Sequence, residues 1–200
     1  MDLSAFNYSA KFKAAIAFTL MHECVFARGH YGDMNYVIAE HDPKDPGGTT
    51  KYGIDQRDHP TIDVETLDLA GAIEIYYRGI TDSRDRIIAG GEWAECFCEL
   101  MPDRWAFAVF EVAVNPGPGD EQHEGARKWL QRAIGATPDG VIGPKTIAAV
   151  KGAGDDELRL LLARRDAYYR SLATQKPRFQ RFLPGWLARN NDLRRALHLV

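Results

Sequence analysis

Eight glycines and prolines interrupt residues 29–60 of a chain that is otherwise patterned for helices. A helix interior tolerates neither residue well, because proline lacks a backbone donor and glycine loses more conformational freedom than other residues. The same segment holds two stretches of strand-like composition, Tyr36–Ile38 and Thr49–Tyr52. We therefore predict a small, irregular β-lobe near residues 29–60.

Helical periodicity is present on both sides of this lobe. Ser9 can cap a first helix whose buried face carries Phe12, Ile16 and Leu20, and Glu23 falls in or just past its last turn before Gly29 ends it. Further helices are predicted at residues 64–77, 104–114, 124–134, from 144 onward, 155–173 and 178–199. The fold class we expect is mainly α (α+β), with residues 104–114 as the buried central helix.

The composition excludes several classes of protein. With 200 residues, 45% hydrophobic and 26% charged, the chain has the make-up of an ordinary globular protein. No apolar stretch approaches the ~20 residues of a membrane-spanning helix, and no secretory signal is visible, so we expect synthesis in the cytoplasm without stable membrane insertion. We expect the three cysteines, Cys24, Cys96 and Cys98, to be reduced thiols.

The charge is uneven along the chain. Residues 151–200 hold 11 Lys and Arg against 5 Asp and Glu, whereas the remaining residues are net acidic. A basic segment suits an anionic polymer, although it is also typical of a solvated helix face. We expect no nucleic-acid partner, because no recognisable binding motif is present.

The residues best suited to catalysis are acids around the predicted lobe. Glu23 closes the first helix, and a Gly-rich turn farther on holds Asp45 and the hydroxyl of Thr50, with Asp42 as a rival acid in a similar Asp-Pro setting. Glycoside hydrolysis needs two such carboxyl groups, one to give a proton to the leaving oxygen and one to act on water or on the developing positive charge. A zinc site is not expected, because the His22-Glu23 pair lacks the second histidine of the zinc helix motif at Phe26.

Two motifs resemble a known family. Residues 20–23 read Leu-Met-His-Glu, and residues 42–54 read Asp-Pro-Lys-Asp-Pro-Gly-Gly-Thr-Thr-Lys-Tyr-Gly-Ile. Together they resemble the glycoside hydrolase family 108 muramidases, whose pattern is a helix ending in His-Glu followed by Asp-Pro-x-Asp-Pro-Gly-Gly-x-Thr-x-(Phe/Tyr)-Gly-Ile. Residues 109–117, 126–135 and 139–146 resemble the peptidoglycan-binding segment that usually follows.

The resemblance implies a lysozyme-like fold, no cofactor and a definite chemistry. A muramidase of this family, of the phage-lysozyme or endolysin type, hydrolyses the β-1,4 bond between N-acetylmuramic acid and N-acetylglucosamine in peptidoglycan glycan strands. Glu23 falls on the family's glutamate and is expected to be the general acid. Asp45 is expected to be the base and Thr50 to position water in an inverting reaction, which needs carboxyl groups about 6.5–9.5 Å apart.

Three further residues are expected to bind substrate. They are Asp42, Tyr52, which could stack on a sugar or pack the lobe, and Asn115, which could cap the central helix or touch the glycan. The domains we predict are a catalytic segment at 1–110 and a helical peptidoglycan-binding-like segment at 111–200, packed as one monomeric unit. Without a visible signal, the protein is expected to reach the cell wall by release or delivery.

The sequence also departs from the family pattern. Glu23 is followed by Cys24-Val25 where the family has two glycines, and Asp45 follows Glu23 by 22 residues, a longer gap than in the family. An insertion within residues 28–39 is expected to extend the β-lobe. These departures leave an alternative open, in which a lapsed muramidase fold binds the wall or acts as a scaffold.

Overall fold

A computed structural model describes residues 1–41, 48–81 and 86–200. Within them the chain forms two compact units, Met1–Glu95 and Cys96–Val200. None of the helices in these described ranges is long and apolar enough to span a bilayer. The domain boundary predicted from the sequence, 110/111, differs from the division between these units and lies inside a helix of the second unit. It stays a sequence-based prediction.

The first unit contains three α-helices and two small sheets among its described residues. Its elements are α1 (Ala10–Glu23), β1 (Glu40–His41), β2 (Thr49–Lys51), β3 (Ile54–Asp55), α2 (Leu69–Arg78), β4 (Ile80–Thr81), β5 (Ile87–Ala89) and α3 (Glu92–Glu95). Strands β1, β2 and β3 form an antiparallel sheet in that order, and β4 pairs with β5. The expected β-lobe is thereby confirmed, whereas the β4–β5 hairpin and α3 had no counterpart in the sequence prediction.

Helix α1 forms for the reasons that its sequence indicates. The Ser9 hydroxyl accepts a hydrogen bond from the Phe12 backbone N–H, which satisfies one of the free donors at the helix start. Phe12, Ile16 and Leu20 are fully buried. The helix ends at Glu23 and not at Gly29, because Cys24 already has extended backbone dihedral angles, φ −85° and ψ 138°.

The second unit is helical. Its helices are α4 (Asp103–Ala113), α5 (Ala126–Ala133), α6 (Pro144–Gly152), α7 (Asp155–Gln175) and α8 (Leu183–Ala196). Helix α4 is the predicted buried helix, and α6 opens with proline at its first position as expected. The mainly α, lysozyme-like fold class is therefore confirmed.

Two predicted helices differ from the observed ones. The helix expected at 64–77 begins at Leu69, because the Asp68 carboxylate caps it by accepting from the Gly71 N–H at 2.7 Å. The helix expected at 178–199 is divided into a 3₁₀ segment, Pro177–Phe182, and α8. Gly185 lies inside α8 and does not interrupt it.

A buried ion cluster joins three helices of the second unit. The carboxylate of Glu111 on α4 is fully buried and lies 2.6 Å from the guanidinium of Arg189 on α8. Arg165 on α7, also fully buried, lies 3.7 Å from the same carboxylate and donates to the Tyr169 hydroxyl at 2.9 Å. A carboxylate buried in this way is stable only because both cations face it.

Candidate active site

The last residue of α1 lies against the turn of a β-hairpin. Tyr52 and Gly53 link β2 to β3 with φ angles of +56° and +79°, the pair of left-handed conformations of a type I′ turn. A methyl group added to Gly53 would lie 2.7 Å from Cβ of Glu23 and 2.9 Å from its Cγ. The backbone of the turn is therefore in direct contact with the side-chain stem of Glu23.

A tyrosine from α2 fixes the turn in this position. The Tyr76 hydroxyl donates to the Tyr52 carbonyl at 2.9 Å, and a methyl group on Gly53 would lie 2.7 Å from the same hydroxyl. The side chain of Tyr76 is buried. Helix α1 therefore supplies the acid, and helix α2 holds the hairpin turn beside it. The side chain of Glu23 is half-buried.

Thr50 lies on the strand that leads into this turn. It occupies the centre of β2, opposite Glu40 on one side and Asp55 on the other. Gly53 lies three positions after Thr50, so the two Cα atoms lie at most about 11 Å apart. Thr50 therefore lies on the strand that leads into the turn in contact with Glu23.

The thiol beside Glu23 is held in its neutral form. The pKa of Cys24 is raised to about 12, mainly by burial and to a smaller extent by the nearby charge of Glu23. The extended conformation of Cys24 carries the chain out of α1 without glycine. This geometry explains how the chain tolerates Cys24-Val25 in place of the two glycines of the family pattern.

Two family models match successive parts of the chain. The model described as Glycosyl hydrolase 108 matches residues 38–117, and the model described as Predicted Peptidoglycan domain matches residues 125–191. A solved structure, "Structure of Brucella abortus SagA", is 26% identical and superposes with a TM-score of 0.67, covering 93% of this chain and 92% of that chain. The chain is a glycoside hydrolase of the lysozyme type. No curated protein matches it at a significant level.

The hydrolase thus combines a lysozyme-type glycoside hydrolase with a peptidoglycan domain, and it is a peptidoglycan hydrolase. Of the sequence-predicted site residues, Glu23 contacts the turn at Gly53, and Thr50 lies on the strand that leads into this turn. Asp42 and Asp45 lie outside the described residues, so their roles stay predictions. Among the described residues, no group of histidine, cysteine, aspartate and glutamate is arranged to hold a metal ion.

The two remaining residues that were predicted to bind substrate, Tyr52 and Asn115, have different surroundings. Tyr52 is only 5% exposed, and burial raises the pKa of its hydroxyl group. This burial favours packing of the lobe over stacking on a sugar. Asn115 is exposed in the turn after α4, whose C-terminal cap position is held by Val114, so capping by Asn115 was wrong and its contact with substrate stays a prediction.

Residues 25–38 include most of the segment where the insertion was predicted, and they pair with one another. Val25 and Ala27 pair with Ile38 and Tyr36 through backbone hydrogen bonds of 3.0 and 2.8 Å. The loop between them turns at Gly32, which approaches the Met21 side chain on the last turns of α1. The inserted residues therefore form a hairpin directly after the acid.

One acid near Glu23, Glu92, was not predicted from the sequence. Glu92 begins α3, and its Oε2 atom is buried without a hydrogen-bond partner among the described residues, although the residue as a whole is half-buried. Its pKa is raised to about 8, mainly by burial and to a smaller extent by the charges of Glu95 and Glu23. Near neutral pH this carboxyl group is largely protonated. No periodic pattern or motif in residues 80–95 indicates it.

The raised pKa of Glu92 predicts a pH-dependent stability. Between the ordinary value near 4.5 and about 8, the folded chain keeps a proton that the unfolded chain releases, so the free energy of unfolding falls as pH rises through this window. We expect Glu92→Gln to flatten this fall, measured by urea denaturation at pH 5 and pH 8.5. The exposed acid Glu40, changed to glutamine, is the matched control and should keep the wild-type fall. An equal fall in the Glu92→Gln variant would contradict a protonated Glu92.

The contact between Gly53 and Glu23 predicts a specific loss of stability. Gly53→Ala combines a left-handed backbone with a clash, and we expect it to lower the free energy of unfolding by about 2–4 kcal/mol. Gly29 has a similar φ of +86° but nothing within 4 Å of an added methyl group. Gly29→Ala should therefore lose only the conformational part, about 1–2 kcal/mol. Equal losses in urea denaturation would show that the turn does not press on Glu23.

Proposed function

We propose that the protein is an N-acetylmuramidase that cleaves the β-1,4 bond between N-acetylmuramic acid and N-acetylglucosamine. The observation that carries this proposal is the contact of Glu23 with the Tyr52–Gly53 turn, which fixes a carboxyl group at the junction of helix and β-lobe. General acid catalysis requires such a group to be held within hydrogen-bond reach of the leaving oxygen. The family 108 match supports the same class of reaction.

The proposed reaction inverts the configuration at the anomeric carbon. Glu23 gives its proton to the glycosidic oxygen as the C–O bond breaks. Asp45 takes a proton from water, whose oxygen bonds to the anomeric carbon from the opposite face, and the Thr50 hydroxyl orients that water. Glu23 ends the reaction as a carboxylate and Asp45 as an acid, and exchange with solvent restores both.

The place of action that we propose is the bacterial cell wall. A chain with a glycosyl hydrolase part and a peptidoglycan part has its substrate there. The basic residues of the C-terminal quarter suit the anionic polymers of that surface. A phage-type or endolysin-type role in lysis belongs to this proposal as well.

The stereochemistry of the first product tests the mechanism. Purified glycan strands are digested in an NMR tube, and the anomeric proton of the new reducing end is followed before mutarotation. We expect the α-anomer to appear first, with Asp45→Asn removing the activity. Initial release of the β-anomer would contradict inversion, and binding to sacculi without any new reducing ends would favour the lapsed, wall-binding alternative.

A further inference from the structure

The second unit contains a cavity that the catalytic proposal does not use. Its volume is about 460 Å³, within the range typical of small-molecule sites. Phe97, the loop of Asp120 and Glu121, Arg127 on α5 and the turn at Gly140–Val141 line it. All of these residues belong to the second unit.

One wall of the cavity is a loop held by its own hydrogen bonds. The Asp120 carboxylate accepts from the backbone N–H groups of Gln122 and His123, both at 2.7 Å. The hydrogen bonds to His123 and the backbone lower the pKa of Asp120 to about 2, so this group is a carboxylate at neutral pH. Lys128 donates to the Glu121 carbonyl at 2.8 Å and fixes the backbone beside it. The loop therefore has a defined shape before any ligand arrives.

A second wall of the cavity, the turn at Gly140–Val141, is equally constrained. Gln131, almost fully buried, donates to the Asp139 carboxylate at 2.6 Å and to the Val141 carbonyl at 3.0 Å, and it accepts from the Gly140 N–H at 2.8 Å. A methyl group on Gly140 would lie only 2.3 Å from the Asp120 carbonyl oxygen. Only glycine allows the two walls to meet so closely, and the resulting site needs little reorganisation to bind.

The lining combines three kinds of chemistry. Asp120 and Glu121 supply negative charge, Arg127 supplies positive charge, and Phe97 and Val141 are 45% and 47% exposed. A ligand that fits all of them carries a cationic amine, a carboxylate and a small apolar group. A neutral N-acetylhexosamine strand has neither charge, whereas a peptidoglycan stem peptide that ends in a diamino acid has all three.

We propose that this cavity binds the stem peptide of peptidoglycan, with the side-chain amine of its diamino acid at Glu121 and Asp120 and a carboxylate at Arg127. The alanine methyl group of the stem lies against Phe97 and Val141. The inference rests on the proposed function, because it takes the wall as the protein's substrate. It assigns the recognition of peptide to the second unit.

Titration of the full-length chain with a free stem tripeptide, alanyl-glutamyl-diaminopimelate, tests the proposal by calorimetry. We expect saturable binding that weakens about tenfold when the side-chain amine is acetylated, and by a similar factor in the Glu121→Gln variant, because each change removes a charge-assisted hydrogen bond. Asp156→Asn, at an exposed acid on α7, is the matched control and should bind like wild type.

Two results would overturn the inference. One is the absence of binding to the tripeptide, and the other is binding that acetylation and Glu121→Gln both leave unchanged. The Val141→Asp variant gives a second check. A charge at the apolar rim should disrupt the contact with the alanine methyl group, so this variant should bind the tripeptide more weakly than wild type. The tripeptide has no glycosidic bond, so its binding is independent of turnover. Lysis of sacculi by a chain that fails to bind it would refute the stem-peptide site and leave the muramidase proposal intact.

Discussion

Replacing Glu23 by glutamine is expected to lower the rate of peptidoglycan hydrolysis by roughly 10²–10⁴-fold, the range typical of a lost general acid. The amide has the size of the carboxyl group, so the stem of the side chain keeps its contact with Gly53. It cannot give a proton to the leaving oxygen. The measurement is the release of new reducing ends from purified sacculi under saturating substrate.

The control for this variant is Glu65→Gln. Glu65 is an exposed acid of the same unit, paired with His41 at 2.9 Å, and surface pairs of this kind contribute little to stability. It should retain wild-type activity, and both variants should show the wild-type circular dichroism spectrum. A Glu23→Gln enzyme of undiminished activity would reject Glu23 as the acid.

The second large effect is expected at Glu111, where glutamine should lower the free energy of unfolding by about 3–5 kcal/mol. The substitution leaves Arg165 and Arg189 buried without their shared counter-charge. Three of the four tryptophans, Trp105, Trp129 and Trp186, lie in this unit, so fluorescence during urea denaturation reports the loss.

A compensating variant separates charge from packing in this cluster. Changing Glu111, Arg165 and Arg189 together to Met, Met and Leu removes all three charges and keeps a similar volume. Such apolar replacements are often neutral or stabilising, so the triple variant should recover most of the stability that Glu111→Gln loses. A triple variant as unstable as the single one would indicate that shape, not charge, makes Glu111 necessary.

Much of the fold was predictable because local signals agreed with the final packing. The Ser9 cap and the apolar face of α1 were visible in the sequence, as was the β-lobe from its glycines and prolines. Boundaries were less certain. The end of α1 is set by the extended conformation of Cys24, and the start of α2 is set by the side chain of Asp68. In each case several neighbouring residues of the sequence could also have served as the helix end.

The surroundings of the site depend on contacts between distant residues. The motif identified Glu23, but the close approach of Gly53 and the hydrogen bond from Tyr76 arise from tertiary packing that no spacing reveals. Glu92 is a further example, because its protonation follows from burial and from the charges of Glu95 and Glu23. Glu111 lies within residues 109–117, where the sequence indicated only a resemblance to the peptidoglycan-binding segment, whereas its role depends on arginines that lie 54 and 78 positions farther along the chain.

Identification of the bond that the enzyme cuts is the most direct test of the proposed muramidase activity. Sacculi are digested to completion, the released fragments are reduced with borohydride, and mass spectrometry identifies the reduced sugar. We predict that every new reducing end is N-acetylmuramic acid and that the Glu23→Gln enzyme releases none. Reduced N-acetylglucosamine, or fragments cut only within the peptide, would contradict it.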